Sequence, residues 1–449
     1  TVASNSVLHI VTGNVHDLLF CRLTNYGTVA WSDGLVRGGH NPGTFIYNFG
    51  LWDAQNDLTL NNAYGGAGTV FNNAGIYRKS GGASTNTITD GVTFNNNGLL
   101  EVLTGLLSLQ GGGSFTGGTT TNAGGLIQLA AATYLINGTT TTTNVQLIGG
   151  TLGNGTVLRG ELTWVQGVLA SAGFGAVVTV TVASNSVLHI VTGNVHDLLF
   201  CRLTNYGTVA WSDGLVRGGH NPGTFIYNFG LWDAQNDLTL NNAYAGAGTA
   251  FNNAGIYRKS GGASTNTITD GVTFNNTGTL DIKVGTVNLA GTYTLAGGTL
   301  SLRLNSLTDF GKLTLAGSAA LAGPLNASLS GAFIPAVGHQ FKIVSCSGVS
   351  GTFSPLNVPA GTSVNYSNSG VFLIVTNLAV QLLPPQLAGA NFNFSFPTAN
   401  GQNYTVQCND DLNTTNWVLH TNFIGDGLPA QIFVPPAGVP QRYFRVWGQ

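Results

Sequence analysis

The chain has 449 residues, of which only 7% are charged, with 65 glycines, no methionine and a formal net charge of −2. Its 15 basic residues are scattered, so it lacks the positive stripe with which proteins bind nucleic acids. A hydrophobic content of 43% at low net charge also excludes a disordered chain. The composition therefore predicts a folded, weakly charged protein with no nucleic-acid partner.

A long, near-identical duplication dominates the sequence. Residues 1–96 recur as 181–276, and only Gly65 against Ala245 and Val70 against Ala250 differ between the two segments. We call these segments copy 1 and copy 2. Self-similarity of this kind is typical of repeat architectures, in which each unit packs mainly against its neighbours.

A shorter period inside each copy predicts the fold. The motif Asn-x-Gly recurs at steps of 23, 25, 23 and 26 residues, with its asparagines at Asn25, Asn48, Asn73, Asn96 and Asn122. A step near 24 suits one coil of a parallel β-helix or a leucine-rich repeat. The leucine pattern of the latter is missing, and the strand formers Thr and Val are abundant. We therefore predict an all-β protein built as a parallel β-helix, or β-solenoid, of about 23–26 residues per coil.

The Asn-x-Gly alignment also predicts which side chains fill the solenoid. The positions four before, two before and four after each Asn are mostly apolar, so we expect them to point inward and to stack from coil to coil. These rows are Cys21, Thr44, Thr69 and Val92; Leu23, Ile46, Phe71 and Phe94; and Val29, Trp52, Tyr77 and Leu100. We place each Asn in a left-handed turn, with its amide hydrogen-bonded along the axis and the glycine relieving crowding.

A row of charged residues is predicted to point outward. Five positions after the Asn, successive coils carry Asp53, Arg78 and Glu101 in copy 1, and Asp233, Arg258 and Asp281 later. Neighbours in such a row lie close enough to form an ion ladder. We interpret the row as a device that fixes the register of the coils, because an interposed arginine would keep both acids ionised.

The chain divides into five predicted segments. We expect one solenoid block over residues 1–180, a second over 181–310, and a terminal section that closes the solenoid over 311–376. A linker over 377–385 then leads to a small β-sandwich over 386–449, where short alternating strands are separated by Gly, Asn, Asp and Pro. The stretch 371–383 is too short and too interrupted to span a bilayer, so no membrane insertion is expected.

Several motifs resemble those of known secreted proteins. The pattern "FNNxG…KSGG…FNNxGxL" resembles the β-strand repeats of large secreted proteins of environmental bacteria. The segment "DFGKLTLAGSAALAGPL" with the "GHQFKIV" that follows is similar to the end of autotransporter-type passenger solenoids, although their outer-membrane barrel is absent. The last module resembles fibronectin-like sandwiches of such proteins, on Gly401, Tyr404, Leu412, Trp417, Gly425 and the run 442–445. The resemblance implies an extracellular β-solenoid and names no substrate.

Candidate catalytic residues are few. Asp53 and Asp57, with Asp33 and Arg37 of the preceding coil, are the best group for acid–base chemistry or calcium. We nevertheless interpret them as solvated loop residues, and we predict no catalytic, cofactor-binding or metal-binding residue. His40 lies in the glycine-rich loop "RGGHNPGT", where it either contacts a ligand or has no role.

Three further residue types leave alternatives open. Trp31, Trp52 and Tyr77 would form a platform for sugars if they faced outward, but the alignment places Trp52 and Tyr77 in the core. Trp417 is assigned to the core of the sandwich. Cys346 and Cys408 either form one disulfide or stay as two thiols.

We expect a structural role from these patterns. The chain begins inside a repeat unit without a recognisable cap, which suits a stiff extracellular rod that assembles end to end. A duplicated site also suits a multivalent binder. The expected partners are further copies of the chain and cell-surface or environmental polysaccharide, without a cofactor. The alternative is a glycan-binding or polysaccharide-degrading β-helix protein.

Overall fold

The structure, a computed structural model, describes residues 1–122, 124–140, 144–153, 155–170, 176–295, 297–331, 333–376, 380, 382–388, 391–434 and 441–448. These residues contain no helix. Parallel sheets stack as a β-solenoid of about 13 turns, and small antiparallel sheets follow at the C-terminus. The predicted all-β fold class is confirmed.

The chain forms two compact units. The first comprises Thr1–Thr279 with Leu289–Thr294, and the second comprises Leu280–Asn288 with Leu295–Gln449. Two strands, Thr279–Ile282 and Thr286–Leu289, contain residues of both units.

Each coil of the first unit contributes one strand to each of three parallel faces. Face I consists of two seven-stranded sheets joined by a bridge between Thr139 and Arg159, with the strands Val7–Ile10, Thr28–Trp31, Leu51–Ala54, Ile76–Lys79, Leu99–Val102, Thr119–Asn122, Thr139–Thr140, Thr156–Leu158, Val178–Val182, Cys201–Asn205, Thr224–Asn228, Thr249–Asn253, Val272–Asn276 and Tyr293–Thr294.

The other two faces follow the same order. Face II contains the strands Val15–Asp17, Leu35–Arg37, Thr59–Asn61, Thr85–Ile88, Leu106–Leu109, Leu126–Leu129, Val145–Leu147, Glu161–Trp164, Val187–Ile190, Thr208–Trp211, Leu231–Ala234 and Ile256–Lys259. Face III contains the strands Arg22–Asn25, Thr44–Asn48, Thr69–Asn73, Val92–Asn96, Gly113–Phe115, Thr133–Ile136, Thr151–Leu152, Gly167–Ala170, Val195–Leu199, Leu215–Arg217, Thr239–Asn241 and Thr265–Ile268.

The core is made of the inward rows that the sequence predicts. Phe71 pairs with Phe94 in register, and Trp52 with Tyr77, and all four side chains are fully buried. The two phenylalanine rings stack at 5.2 Å, while Trp52 meets Phe71 edge to face at 5.0 Å. Burial of large rings with these geometries is a major source of stability in a chain with so few charges.

An asparagine ladder runs beside this core. The Asn25 amide donates to Asn48, which donates to Asn73, which donates to Asn96, each over 2.7 Å between Nδ2 and Oδ1. All four side chains are buried. Most rungs also donate to a backbone carbonyl, as Asn48 does to Ile76 at 2.9 Å. The predicted axial amide ladder is confirmed.

The predicted left-handed turn at each Asn is wrong. Asn25 and Asn48 are the last residues of their strands, and neither has positive φ. The glycine two positions later is needed for another reason: a Cβ on Gly50 would collide with the carbonyl oxygen of Gly27 in the neighbouring coil. Close stacking of the turns, rather than the sign of φ, excludes a side chain there.

The 24-residue period ends after Asn96. Asn96 pairs with Phe115, whereas Asn122 lies on face I opposite Val102 and outside the ladder row. The side chain of Asn122 lies outside the described residues. Shorter coils follow, since Phe115 pairs with Ile136 and Tyr134 with Leu152.

These shorter coils rotate copy 2 relative to copy 1. The strand Val7–Ile10 lies on face I, but its duplicate Val187–Ile190, eight coils and one strand later, lies on face II. Likewise Arg22–Asn25 belongs to face III and its duplicate Cys201–Asn205 to face I. Identical sequences therefore occupy different faces of the same solenoid.

The duplication also places identical side chains in different environments. Leu8 is 37% exposed, whereas Leu188 is 1% exposed beneath Leu162 of the preceding coil. Phe20 and Phe200 differ in the same way, with exposures of 62% and 7%. Each pair allows the contribution of coil stacking to stability to be measured on two identical residues of one chain.

The second unit begins with parallel strands and ends with antiparallel ones. Its strands are Thr299–Leu304, Lys312–Leu315, Ala319–Leu321, Leu325–Leu329, Gln340–Ser345, Val349–Gly351, Leu356–Asn357, Thr362–Ser367 and Gly370–Val375. Gly370–Val375 pairs antiparallel with both Gln340–Ser345 and Thr362–Ser367. Of the predicted linker 377–385, residues 377–379 and 381 lie outside the described residues.

A small β-sandwich completes the chain. Three-stranded sheets formed by Gln386–Ala388, Asn391–Phe396 and Ala430–Val434, and by Asn403–Asn409, Val418–Ile424 and Tyr443–Gly448, share one core. Phe394, Phe396, Tyr404, Val406 and Ile432 are buried in it. Trp417 is not: it is half-buried, with the Arg445 guanidinium 4.3 Å from its ring centre. The predicted core role of Trp417 is wrong, because the residue precedes its strand rather than lying within it.

Candidate functional site

The acidic residues singled out in the sequence have separate partners. Asp33 accepts a hydrogen bond from the Gly34 amide at 2.8 Å, and Asp53 accepts one from Ser80 Oγ at 2.6 Å. Asp57 is ion-paired with Lys79. Among the described residues, no three His, Cys, Asp or Glu side chains are grouped closely enough to hold a metal ion.

Arg37 belongs to a different cluster. Its guanidinium donates to both carboxylate oxygens of Asp17, at 2.7 and 2.9 Å, and lies over the ring of Tyr64, whose hydroxyl donates to Asp17 at 2.9 Å. The hydrogen bond from Arg37 holds the pKa of Asp17 below its usual value, and the hydrogen bond to Asp17 raises the pKa of Tyr64. The cluster fixes an ionised carboxylate, which suits a structural clamp.

His40 lies within an aromatic stack beside that clamp. Its ring stacks on Phe20 at 5.0 Å and on Tyr64 at 5.1 Å. The same stack recurs in copy 2 with His220 between Phe200 and Tyr244, both at 4.8 Å. The structure thus gives His40 a packing role in its loop.

Asp57 neutralises a buried cation. Lys79 is fully buried, and its Nζ donates to Asp57 at 2.8 Å and to the carbonyls of Asn56 and Gly81 at 2.9 and 2.7 Å. Burial acts to raise the pKa of Asp57, but hydrogen bonds from Lys79 and the Ser84 amide outweigh it, so the pKa is lowered. In copy 2 burial lowers the pKa of Lys259 despite its pairing with Asp237.

The charged row has the predicted register, but not all of it points outward: Asp53 and Asp281 are only 9% and 8% exposed. Asp53 lies in the strand Leu51–Ala54, so its prediction as a solvated loop residue is wrong. In the strand register, Arg78 lies opposite Asp53 of one neighbouring strand and Glu101 of the other. Arg78 Nε donates to Glu101 at 2.6 Å, and Asp53 additionally accepts from Gln55 at 2.8 Å. In copy 2 Asp233 and Arg258 are likewise in register.

The aromatic residues proposed for a sugar platform are all inside. Trp31, Trp52 and Tyr77 have no exposed surface, which confirms the core assignment of the last two. The two cysteines of the second unit, Cys346 and Cys408, are free thiols.

The sequence did not lead us to predict the aromatic residues that face outward. Tyr26 and Phe49 are 52% and 50% exposed and stack at 5.2 Å with an interplanar angle of 11°. Tyr206 and Phe229 repeat the pair in copy 2 at 5.2 Å and 12°. The available signal was the middle residue of Asn-x-Gly: it directly follows a buried Asn, so the alternation of the strand turns it outward.

A groove opens where this outward stack ends. The next residues in the row after Phe49 are Ala74 and Asn97. A space of about 560 Å³ lies over them, which we call the Phe49 groove, lined by Tyr47, Phe49, Asn72, Ala74, Asn95, Asn96, Asn97, Ser114 and Thr116. The Asn95 amide donates to Asn72 at 3.0 Å and accepts from the Ser114 amide at 3.0 Å. An open ring face beside fixed amides can bind a ligand that has both an apolar face and hydroxyl groups.

Comparisons with protein-family models and with curated proteins find no match for the chain. Within the described part of the chain, no helix is long and apolar enough to span a membrane. The fold class is a β-solenoid with a small C-terminal sandwich.

Proposed function

We propose that the chain is an extracellular structural and adhesive β-solenoid, a stiff scaffold that associates end to end with further copies of itself. The observation that carries the structural role is the reproduction of the same inner ladder in both copies. Asn205, Asn228, Asn253 and Asn276 repeat the rungs of copy 1, again at 2.7 Å each. Because each coil contacts mainly its neighbours, a duplicated block can lengthen the solenoid without any new kind of contact between coils.

The duplicated residues show how one coil stacks on another. Leu8 and Phe20 are exposed, whereas their duplicates Leu188 and Phe200 are buried. Leu188 lies under Leu162 of the preceding coil. The same strand sequence is thus compatible with a coil stacked on it, whichever chain supplies that coil. The proposed extracellular, bacterial surface location rests on the resemblance of the repeat motifs to secreted proteins.

Electron microscopy of the purified chain at several concentrations tests the scaffold. We expect filaments whose length grows with concentration, and their loss in the variant Leu8→Lys, which adds a charge to the exposed edge. The matched variant Leu387→Lys, at a residue that is 79% exposed in the sandwich, should leave the filaments intact. Isolated particles at every concentration would contradict self-association.

Polysaccharide binding is the second candidate function. It is favoured by the outward aromatic pairs Tyr26–Phe49 and Tyr206–Phe229, which repeat on two faces. Planar aromatic rings bind ligands through large apolar contacts at low entropic cost.

A further inference from the structure

We propose that the Phe49 groove and its duplicate beside Phe229 bind neutral polysaccharide chains, which makes the first unit a bivalent glycan binder. The inference rests on the adhesive part of the proposed function and names its ligand class.

One ring face of the stack is left uncovered. Tyr26 and Phe49 stack in register, so their ring planes face along the solenoid axis. A third ring would belong at Ala74, but alanine leaves the far face of Phe49 open to the groove. The C–H face of a pyranose ring is apolar and flat, so it can occupy this position as a third layer of the stack.

Polar groups surround that position. Asn72, Asn95 and Asn97 line the groove, with Ser114 and Thr116 at its far end. The amide ladder between Asn95 and Asn72 fixes its donors and acceptors before a ligand arrives. Preorganised amides of this kind can form hydrogen bonds with the hydroxyl groups of a sugar at little entropic cost.

The length and charge of the groove restrict the ligand. It crosses four successive strands of face III, which corresponds to about 14 Å at about 4.8 Å per strand. An oligosaccharide segment fits this length better than a single sugar. None of the lining residues is charged. The Arg22 guanidinium is engaged by the Tyr47 ring, 5.1 Å from its centre, and is not among the lining residues. A neutral chain is therefore expected rather than an acidic one.

Copy 2 repeats most of these residues on another face, with Thr277 in place of Asn97. Phe229 is 49% exposed, Ala254 again follows it in the row, and the Asn275 amide donates to Asn252 at 3.0 Å. Here Thr294 Oγ1 donates to Asn275 at 3.0 Å. Phe49 and Phe229 lie eight coils and one strand apart, about 40 Å along the axis. One long polymer, or two chains of a polysaccharide matrix, can reach both.

Affinity electrophoresis of the whole chain tests the site. Native gels would contain a mixed-linkage β-glucan, a galactomannan or dextran, with polygalacturonate as the charged comparison. We expect retardation by at least one neutral polymer. The double variant Phe49→Ala/Phe229→Ala should weaken it at least about tenfold. Phe433→Ala, at a 60% exposed ring in the other unit, is the matched control and should have no effect.

A second double variant distinguishes loss of the binding site from misfolding. Ala74→Phe with Ala254→Phe would continue the aromatic stack into the groove, and both alanines are exposed, so the fold should be kept while binding is lost. No retardation by any of the three neutral polymers would overturn the proposal. Binding that survives both double variants, or that is confined to polygalacturonate and lost in high salt, would overturn it too.

Calorimetry tests bivalence. An oligosaccharide of the retarding polymer should bind two sites on the unmodified chain and one on Ala74→Phe or Ala254→Phe alone, and the polymer affinity should fall more than twofold in each single variant. A stoichiometry of one in the unmodified chain would contradict bivalence. Filaments without binding would overturn the glycan site alone, and binding without filaments would overturn self-association alone.

Discussion

The asparagines of the inner ladder satisfy one another's buried side-chain amides. The Asn48 side chain accepts from Asn25 and donates to both Asn73 and the carbonyl of Ile76. Its loss would leave an unpaired donor and an unpaired acceptor in the two neighbouring coils, and each such group costs about 1–3 kcal/mol. The ladder thus makes the coils depend on one another.

Replacement of Asn48 by alanine should therefore lower the free energy of local unfolding by about 2–4 kcal/mol. Hydrogen exchange at the amides of Thr44–Asn48 and Thr69–Asn73 would measure it. The exposed Asn97→Ala is the control, with an expected change below about 0.5 kcal/mol. Equal effects of the two variants would show that the ladder does not stabilise the core.

The Lys79–Asp57 pair makes the stability of copy 1 depend on pH. Because the pKa of Asp57 is lowered in the fold, the pair contributes fully above about pH 4, the ordinary range of an Asp, and its contribution is lost as pH falls through the lowered value. Asp57→Asn should cost about 3 kcal/mol at pH 7, because it leaves buried Lys79 without a counter-charge.

Urea unfolding at pH 7 and pH 3 would measure this effect, and Asp57→Asn should reduce the difference between the two pH values. Adding Lys79→Met removes the buried charge as well and should restore part of the stability. An unchanged midpoint at pH 7 in the single variant would contradict the assigned role of the pair.

At the scale of the strand and turn, close stacking decides which residues are tolerated. Gly50→Ala would place a Cβ against the carbonyl of Gly27 and should destabilise the solenoid by about 1–3 kcal/mol. Gly65→Ala is the natural control: nothing lies within 4 Å of its Cβ, and copy 2 already carries Ala245 there with φ 51°.

Thermal unfolding of the two glycine variants would separate the effects. Gly65→Ala should destabilise the protein by no more than about 1–2 kcal/mol, the cost of a left-handed alanine without a steric contact. A larger loss for Gly65→Ala than for Gly50→Ala would show that backbone conformation, and not contact between coils, governs these turns.

Coil stacking can be measured with the duplicated leucines. Leu188→Ala should cost about 2–5 kcal/mol, because the residue is 1% exposed, whereas Leu8→Ala should cost about 1 kcal/mol or less at 37% exposure. Hydrogen exchange in Val187–Ile190 and Val7–Ile10 reports each variant locally. Equal losses would mean that the preceding coil contributes little.

At the scale of the whole molecule, the two compact units are expected to unfold separately. Phe396, fully buried in the sandwich, contacts Tyr404 and Phe423 at ring distances of 5.6 and 6.2 Å. Phe396→Ala should destabilise the second unit by about 3–5 kcal/mol and leave exchange protection around Phe71 unchanged. A uniform loss of protection would show one cooperative molecule.

Much of the fold could be predicted from the sequence because its determinants are local. The inward rows and the Asn ladder follow from a side-chain period of two combined with a repeating coil, and both are visible in one copy. The candidate site could be predicted only in part. The partners of Asp17 and Asp57 lie on different coils, and the exposed position of Phe49 depends on where its strand ends.

The sequence by itself therefore determined the all-β class, the coil length of the first coils, the contents of the core and the duplication. The tertiary structure decided which face each copy occupies, because that depends on every strand between Asn96 and Cys201, including short coils without the Asn-x-Gly motif. It also decided that the stack of Tyr26 and Phe49 ends in an open groove at Ala74. A repeat determines the contacts between neighbouring coils. The face that a distant copy occupies depends instead on the number of strands in all the coils between the two copies.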